Sequence, residues 1–428
     1  MRPIRETQLS APGSGGLNGT KEKTISTISS SLTIISSEFP PGPGGIGTHA
    51  FEMSRQLHRL GWQVRVLSMQ DYASDEEIRQ FNDAQLYPVV RLPSQRGALR
   101  GVSLRLRFLK AQFKQFRPDI VMATGGPMVW LTALAILRAP VPFLAVGHGT
   151  EFGVRRGLNA RLIRWGFEKA RVVVCVSEFT RQQMLAMGVR PQCSVVIPNG
   201  ADGSRFRILE PEETASARRE LGIEEHTPLI LTVGSVTERK GQEVVIRALP
   251  ELIKQVPDVH YAMIGLPVRQ AELTRLAQKL KVADRIHFLG RQDNDAVVRI
   301  MNACDLFVMT SVQTRTGDCE GYGIAAVEAA LCGKPAVVSA GSGLAEAIVD
   351  GVTGVVVPQN SPSETARAIA QLIQDHAMRR RLGQAAMERA RQEQLWEQRA
   401  QEYDRLLRSL LPDTEARLAP KQAEKTSR

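Results

Sequence analysis

Two patterns of apolar and polar positions alternate along the chain. Short apolar runs at residues 31–37, 64–67, 120–122, 142–146, 172–176 and 195–197 have the length and branched side chains of strands. Longer stretches between them repeat apolar residues every three or four positions, which predicts helices. The first unit shows the logic. The run from Ser31 ends in Pro40-Pro-Gly-Pro-Gly-Gly-Ile-Gly47, Phe51, Leu57 and Leu60 follow at helical spacing, and after Gly61 comes the run 64–67. This reads as strand, glycine-rich turn, helix, strand. Its repetition predicts a parallel sheet covered on both faces.

A turn cluster, Pro198-Asn-Gly-Ala-Asp-Gly203, interrupts the series, and the same alternation restarts after Arg205. Strand-like runs follow at 229–233, 260–264, 286–289, 305–309, 336–338 and 354–357. The expected organisation is an α/β chain of two doubly wound parallel-sheet domains, 31–202 and 203–388. A helix at 389–411 should pack back toward the first domain. Residues 1–30 and 412–428 are expected to be disordered tails.

Composition narrows the class. The 428 residues are 43% hydrophobic and 23% charged, which is globular and excludes wholesale disorder. No apolar run reaches the roughly 18 residues of a membrane span, and the N-terminus lacks a signal-peptide pattern. The five cysteines form no C-x-x-C pair, so neither a zinc site nor a disulfide framework is expected, and a cytoplasmic location fits. The net charge of +11 is uneven: residues 31–200 hold 21 Lys/Arg against 11 Asp/Glu, whereas 201–428 hold 30 against 31. The positive field of the first half points to an anionic partner there: lipid headgroups, a phosphorylated substrate or nucleic acid. Only 5% of residues are aromatic and no nucleic-acid motif is present, which argues against the last.

Several motifs sit where such sheets bind ligands. Gly44, Gly45 and Gly47 follow the first strand and open a helix, where backbone N–H groups can approach an anion; a tight turn without ligand fits equally. Gly234 begins a loop that brings Arg239 and Lys240 to the mouth of a helix, which suits a diphosphate or a solvated loop. In Glu320-Gly-Tyr-Gly-Ile-Ala-Ala-Val-Glu328, Glu320 precedes a helix and Glu328 lies about two turns into it. Carboxylates accept hydrogen bonds from paired hydroxyls, so the two could grip ribose and hexose of one nucleotide sugar. An acid inside the apolar run 324–331 is hard to place in solvent. His148 ends a strand between two glycines, either at a ligand edge or as a buried structural imidazole. Asp293-Asn-Asp295 has D-x-D form, but it precedes a helix and is read as a cap, so no metal is assigned.

Together these residues resemble glycosyltransferase family 4, the retaining nucleotide-sugar glycosyltransferases of GT-B fold, over about residues 32–390. The resemblance rests on Glu320 to Glu328 as the family's Glu-x7-Glu motif, the continuations at 329–335 and 341–346, the stretch 197–202 with Phe206, the loop ending at Gly47, and His148. It implies two Rossmann-like domains facing a cleft and hexose transfer from a UDP- or GDP-sugar to a lipid-linked or polysaccharide acceptor in cell-envelope glycan biosynthesis. It also implies no metal and no cofactor. Glu320 would hold the donor sugar, Glu328 the ribose, and Arg239 and Lys240 the diphosphate, with His148 positioning the sugar. Gly44, Gly45, Gly234, Gly321, Tyr322, Gly323 and Ile324 would complete the donor site. Ser235 departs from the pattern, since many members carry Arg there; the neighbouring Arg239 is the candidate replacement. The loop 311–319, with Arg315, is longer than usual, as in members with lipid or polysaccharide acceptors. The competing readings are a basic nucleic-acid-binding protein and an inactive scaffold.

Residues 91–118 contain eight Lys/Arg and no acid. Leu99, Val102, Leu106, Leu109, Phe113 and Phe116 share one helical face, and Arg100, Arg107, Lys110, Lys114 and Arg117 repeat one position further on. This could be a basic amphipathic helix lying on the inner face of an anionic membrane, or an ordinary helix whose apolar face serves its own core.

Overall fold

The computed structural model describes residues 30–69, 73–93, 98–139, 141–153 and 156–411. The predicted tails, Arg96 and the side chain of Leu99 lie outside the described residues. The first domain is built on β1 (Ser31–Ser36), β2 (Gln63–Ser68), β3 (Val89–Arg91), β4 (Ile120–Thr124), β5 (Phe143–Gly147), β6 (Val172–Cys175) and β7 (Ser194–Val196). They form one sheet in the order β3-β2-β1-β4-β5-β6-β7, and the pairing is parallel throughout. The second domain contains β8 (Leu229–Val233), β9 (His260–Ile264), β10 (Ile286–Phe288), β11 (Leu306–Met309), β12 (Ala336–Ser339) and β13 (Gly354–Val357). Their order is β10-β9-β8-β11-β12-β13, again parallel. Both sheets reverse direction beside their first strand, which opens a crevice at the carboxyl ends of the strands.

Strand β3 was not foreseen from the sequence. It has three residues between Pro88 and Pro93, too short for a period-two signal, and it forms through its register with β2.

The chain crosses between domains twice, and the crossings lie side by side. The Ala201 N–H donates to the Gln394 carbonyl at 2.9 Å, and the Trp396 N–H donates to the Ala201 carbonyl at 3.2 Å. After the second crossing, helix Trp396–Leu410 lies on helix Gly45–Arg59 of the first domain. Trp62 Nε1 donates to Asp404 at 2.7 Å, and Tyr403 meets His49 at 3.1 Å. Trp396, Tyr403 and Leu407 are fully buried in this contact.

Helix Ala98–Phe116 resolves the amphipathic stripe. Leu109 is completely buried, and Val102 and Phe113 pack against the same core, beside helix Gly126–Ala135. The apolar face is therefore core rather than membrane surface, as a doubly wound sheet requires of its covering helices. Arg100, Arg107, Lys110, Lys114 and Arg117 face solvent. Among the described residues no helix is long and apolar enough to cross a membrane.

Because Leu407 fills the first domain's core from the far end of the chain, Leu407→Ala should remove about 2–5 kcal/mol of stability. Denaturant unfolding of the purified variant measures this; a loss below about 1 kcal/mol would mean that the returning helix is peripheral.

Candidate active site

The carboxyl ends of the two sheets meet across the crevice almost backbone to backbone. A methyl group at Gly321 would lie 1.8 Å from the His148 carbonyl oxygen, so only glycine permits this approach. Gly153 and Gly317 meet in the same way, from loops following β5 and β11. The Glu346 carboxylate of the second domain accepts the backbone N–H groups of Glu178 and Phe179 at 2.8 and 2.7 Å. Those groups open helix Glu178–Ala186 of the first domain, so the acid satisfies orphan donors across the cleft.

Glu320 lies at this seam, buried, and carries the densest charge in the site. Lys240 Nζ approaches its carboxylate at 2.8 Å, and the Arg239 guanidinium pairs with the same oxygen. Arg239 Nε also reaches Asp318 at 3.3 Å. Burial opposes the charge on Glu320, but Lys240 and Arg239 outweigh it and hold the pKa below the usual carboxylate range. Burial pulls Lys240 down, with Glu320 opposing, whereas Glu320 raises Arg239. The loop from Gly234 folds over Lys240, and a methyl at Gly234 would lie 3.1 Å from its Cε.

Glu328 is half-buried in helix Ile324–Leu331; because the helix starts at Ile324, it lies just over one turn in, not the two expected. Burial pushes its pKa up to about 7; Arg205 and Lys240 oppose, and Glu52 and Asp202 add to the rise. Glu52, from helix Gly45–Arg59, is buried and is also raised to about 7, first by burial. Arg55 ties this group together, reaching Glu52 at 2.7 Å and Asp202 at 2.9 Å. The sequence did not mark Glu52, Arg55, Asp318 or Glu346 as site residues. Glu52 and Arg55 stand one turn apart on helix Gly45–Arg59, whereas Asp318 and Glu346 come from segments of the second domain that only the tertiary fold brings to the cleft.

His148 is buried, with Nε2 against the Thr124 hydroxyl and its backbone N–H donating to Glu151 at 2.8 Å. Burial pushes its pKa down to about 3, so the ring is neutral at pH 7. The His49 imidazole stands edge-on to it, ring centres 5.0 Å apart.

The remaining predicted residues divide. Gly44, with φ of 144°, packs against the Glu38 carboxylate, whose charge reaches Arg239; Gly45 is open to solvent. Gly323 caps the helix that starts at Ile324, so the turn from Gly321 to Ile324 borders the charge cluster. Tyr322 corrects the expectation for its side chain. Its ring is buried in the core and its hydroxyl accepts from Gln394 Nε2 at 3.0 Å, so only its backbone belongs to the turn. Asp293 is a helix cap, accepting from the Ala296 N–H at 2.8 Å.

The Glu328 titration has a consequence for binding. A carboxyl raised to about 7 is largely protonated at pH 6 and ionised at pH 8, and only the anion gives charge-assisted hydrogen bonds to hydroxyls. Nucleotide affinity should therefore rise from pH 6 to 8 more steeply in the wild type than in Glu328→Gln, and calorimetric titrations at both pH values measure the difference.

Comparisons with known proteins bear on the family and the fold. Residues 43–205 match the family described as Glycosyltransferase Family 4, and residues 213–389 match Glycosyl transferases group 1. A D-inositol 3-phosphate glycosyltransferase of Corynebacterium aurimucosum is 31% identical, over 82% of this chain and 87% of its own. A GDP-mannose-dependent monoacylated alpha-(1-6)-phosphatidylinositol monomannoside mannosyltransferase of Corynebacterium glutamicum is 26% identical, over 88% and 97%. In fold the chain is similar to Anabaena HepE in complex with UDP and glucose, with a TM-score of 0.76 at 23% identity, covering 88% of this chain and 99% of that one. With both halves matched in order and this level of identity across most of its length, the chain belongs to glycosyltransferase family 4 and has the GT-B fold.

Proposed function

We propose that the protein is a retaining, metal-independent hexosyltransferase. It moves a hexose from a UDP- or GDP-sugar to a lipid-linked or polysaccharide acceptor of the cell envelope. The observation that carries this reading is the convergence of Arg239 and Lys240 on Glu320 at the seam of the two domains. Two largely buried cations stabilise the charge that a departing diphosphate gathers, and they leave no electrostatic need for a metal. Arg239 supplies the cation that many family members carry at the position of Ser235.

In this mechanism the nucleotide lies on the second domain. Glu328 accepts the ribose hydroxyls and Glu320 those of the hexose, while the turn from Gly321 to Ile324 offers backbone N–H groups to the phosphates. The bond from the sugar's anomeric carbon to the diphosphate breaks, and the acceptor oxygen bonds to that carbon on the same face. The acceptor proton passes to the leaving phosphate oxygen, so no enzyme nucleophile is required. Neutral His148 positions the sugar. The glycine contacts and the Glu346 cap hold the closed arrangement that keeps out water, the competing acceptor.

The acceptor lies on the basic first domain. Relatives named for phosphatidylinositol mannoside synthesis support a glycolipid acceptor. The exposed cations of helix Ala98–Phe116 support peripheral, salt-sensitive attachment to an anionic membrane surface from the cytoplasmic side. The donor nucleotide should emerge from a thermal-shift panel of UDP, GDP, ADP and their sugars, since a ligand of the folded state raises apparent stability.

Glu320→Ala should lower kcat by about 10–100-fold through loss of charged hydrogen bonds to the sugar. Affinity for the free nucleoside diphosphate should be retained or raised, because both cations are released to it. Turnover should also survive EDTA. Equal losses of kcat and diphosphate affinity, or abolition by EDTA with rescue by manganese, would count against the mechanism.

A further inference from the structure

On the flank of the first domain, a pocket of about 450 Å3 is lined by Arg156, Gly157, Ala160, Arg161, Arg164 and Met187. It lies along helix Gly157–Glu168, which begins a few residues after His148 and the Gly153 contact. The helix therefore starts at the carboxyl edge of the sheet, the cleft side, and runs down the flank toward Met187 at the end of the next helix.

Three guanidinium groups share this pocket, and among the described residues none has an ion-pair partner. Several arginines of other helices are paired instead. Arg181 pairs with Glu178, Arg247 with Glu243 and Arg367 with Glu364, each with an acid one turn earlier. Helix Gly157–Glu168 holds a single acid, Glu168, at its last position, and that carboxylate faces the Arg190 backbone N–H at 3.3 Å. Arg161 and Arg164 stand one turn apart, a like-charge spacing that costs a helix stability when nothing neutralises it.

The backbone adds to the same field. Arg156 stands at the N-cap, and a guanidinium has no acceptor with which to cap the first-turn N–H groups. Gly157 has φ of 91° and open space where a side chain would stand, so a ligand can approach the main chain there. Ala160 is buried and forms the floor. The volume falls within the range of small-ligand sites. Planar, permanently charged, multidentate donors with no competing acid suit one chemistry, a phosphate group.

We infer that this pocket binds a phosphate group of the acceptor, as a monoester or diester, separately from the donor diphosphate at Arg239 and Lys240. The inference rests on the glycosyl-transfer reading for the word acceptor; the anion site itself does not. The phosphate has two sources, a lipid headgroup or a water-soluble phosphorylated acceptor, and both present the same oxygens to the arginines. Arg156 at the cleft end would take the group nearest the reacting hydroxyl, while Arg161 and Arg164 hold it from the flank.

The test uses the full-length protein and the double variant Arg161→Gln/Arg164→Gln, both sites being exposed and outside the donor machinery. A second variant, Arg107→Gln/Lys110→Gln, removes the same charge from helix Ala98–Phe116. Inorganic phosphate is titrated into each, and each is floated with vesicles of phosphatidylglycerol in phosphatidylcholine. Binding of UDP and GDP is measured in parallel. The expected result is a phosphate affinity lowered at least about tenfold, or roughly 1.4 kcal/mol, in the pocket variant alone, with nucleotide affinity unchanged. A matching loss of vesicle binding in that variant assigns the phosphate to a lipid headgroup; unchanged vesicle binding assigns it to a soluble acceptor. Equal phosphate affinity in wild type and pocket variant would overturn the inference. So would an equal loss in both variants, since binding would then be diffuse, and so would a parallel loss of nucleotide affinity. Failure of the donor reading is seen separately, as wild-type protein that binds neither UDP nor GDP.

Discussion

A carboxylate buried at the seam of two domains keeps its charge only if cations are buried with it. Glu320 is in that position, and Arg239 and Lys240 supply the match. The three groups come from two loops of the second domain, and the glycine contacts to His148 and Gly153 close over them from the first. The cluster's net charge, counting Asp318, is near zero, and Arg239 and Asp318 keep contact with solvent. In the proposed mechanism a diphosphate entering it exchanges one anionic partner for another.

The closed arrangement explains the placement of the other acids. Glu346 is spent on two N–H groups of the opposite domain, so it is structural in this state. Glu52 and Asp202 share Arg55 beside the first chain crossing, and Glu328 feels both of them. Glu328 is therefore coupled electrostatically to the segment that joins the domains. Any relative movement of the domains changes the field at Glu328 as well as the geometry at Glu320.

The basic first domain divides its charge between two helices with different surroundings. In Ala98–Phe116 the cations stand in solvent above an apolar face that the core consumes. In Gly157–Glu168 three arginines line a pocket at the flank. The first arrangement suits diffuse attraction to a surface, and the second suits a discrete anion. Net charge alone did not separate them, because it records how many cations a domain carries and not which share a concave space.

The sequence by itself determined what depends on neighbours along the chain. Branched apolar runs alternating with helical periods gave two parallel sheets, because each element's period reflects which of its faces is buried. The pair Glu320 and Glu328 was legible because a loop acid followed eight residues later by an acid in an apolar helix is a pattern along the chain that needs no knowledge of the fold. Asp293 was readable as a cap for the same reason. Tertiary structure decided what depends on sheet order and on the domain seam. Strand β3 exists because β2 offers an edge, Tyr322 turns into the core because Gln394 returns beside it, and the stripe from Val102 to Phe113 is core because helix Gly126–Ala135 lies under it. Asp202 joins the local pair Glu52 and Arg55 only because the chain crosses between the domains where helix Gly45–Arg59 passes. Local periodicity carries no information about such encounters, since they join residues about 150 positions apart whose proximity is set by packing rather than by spacing.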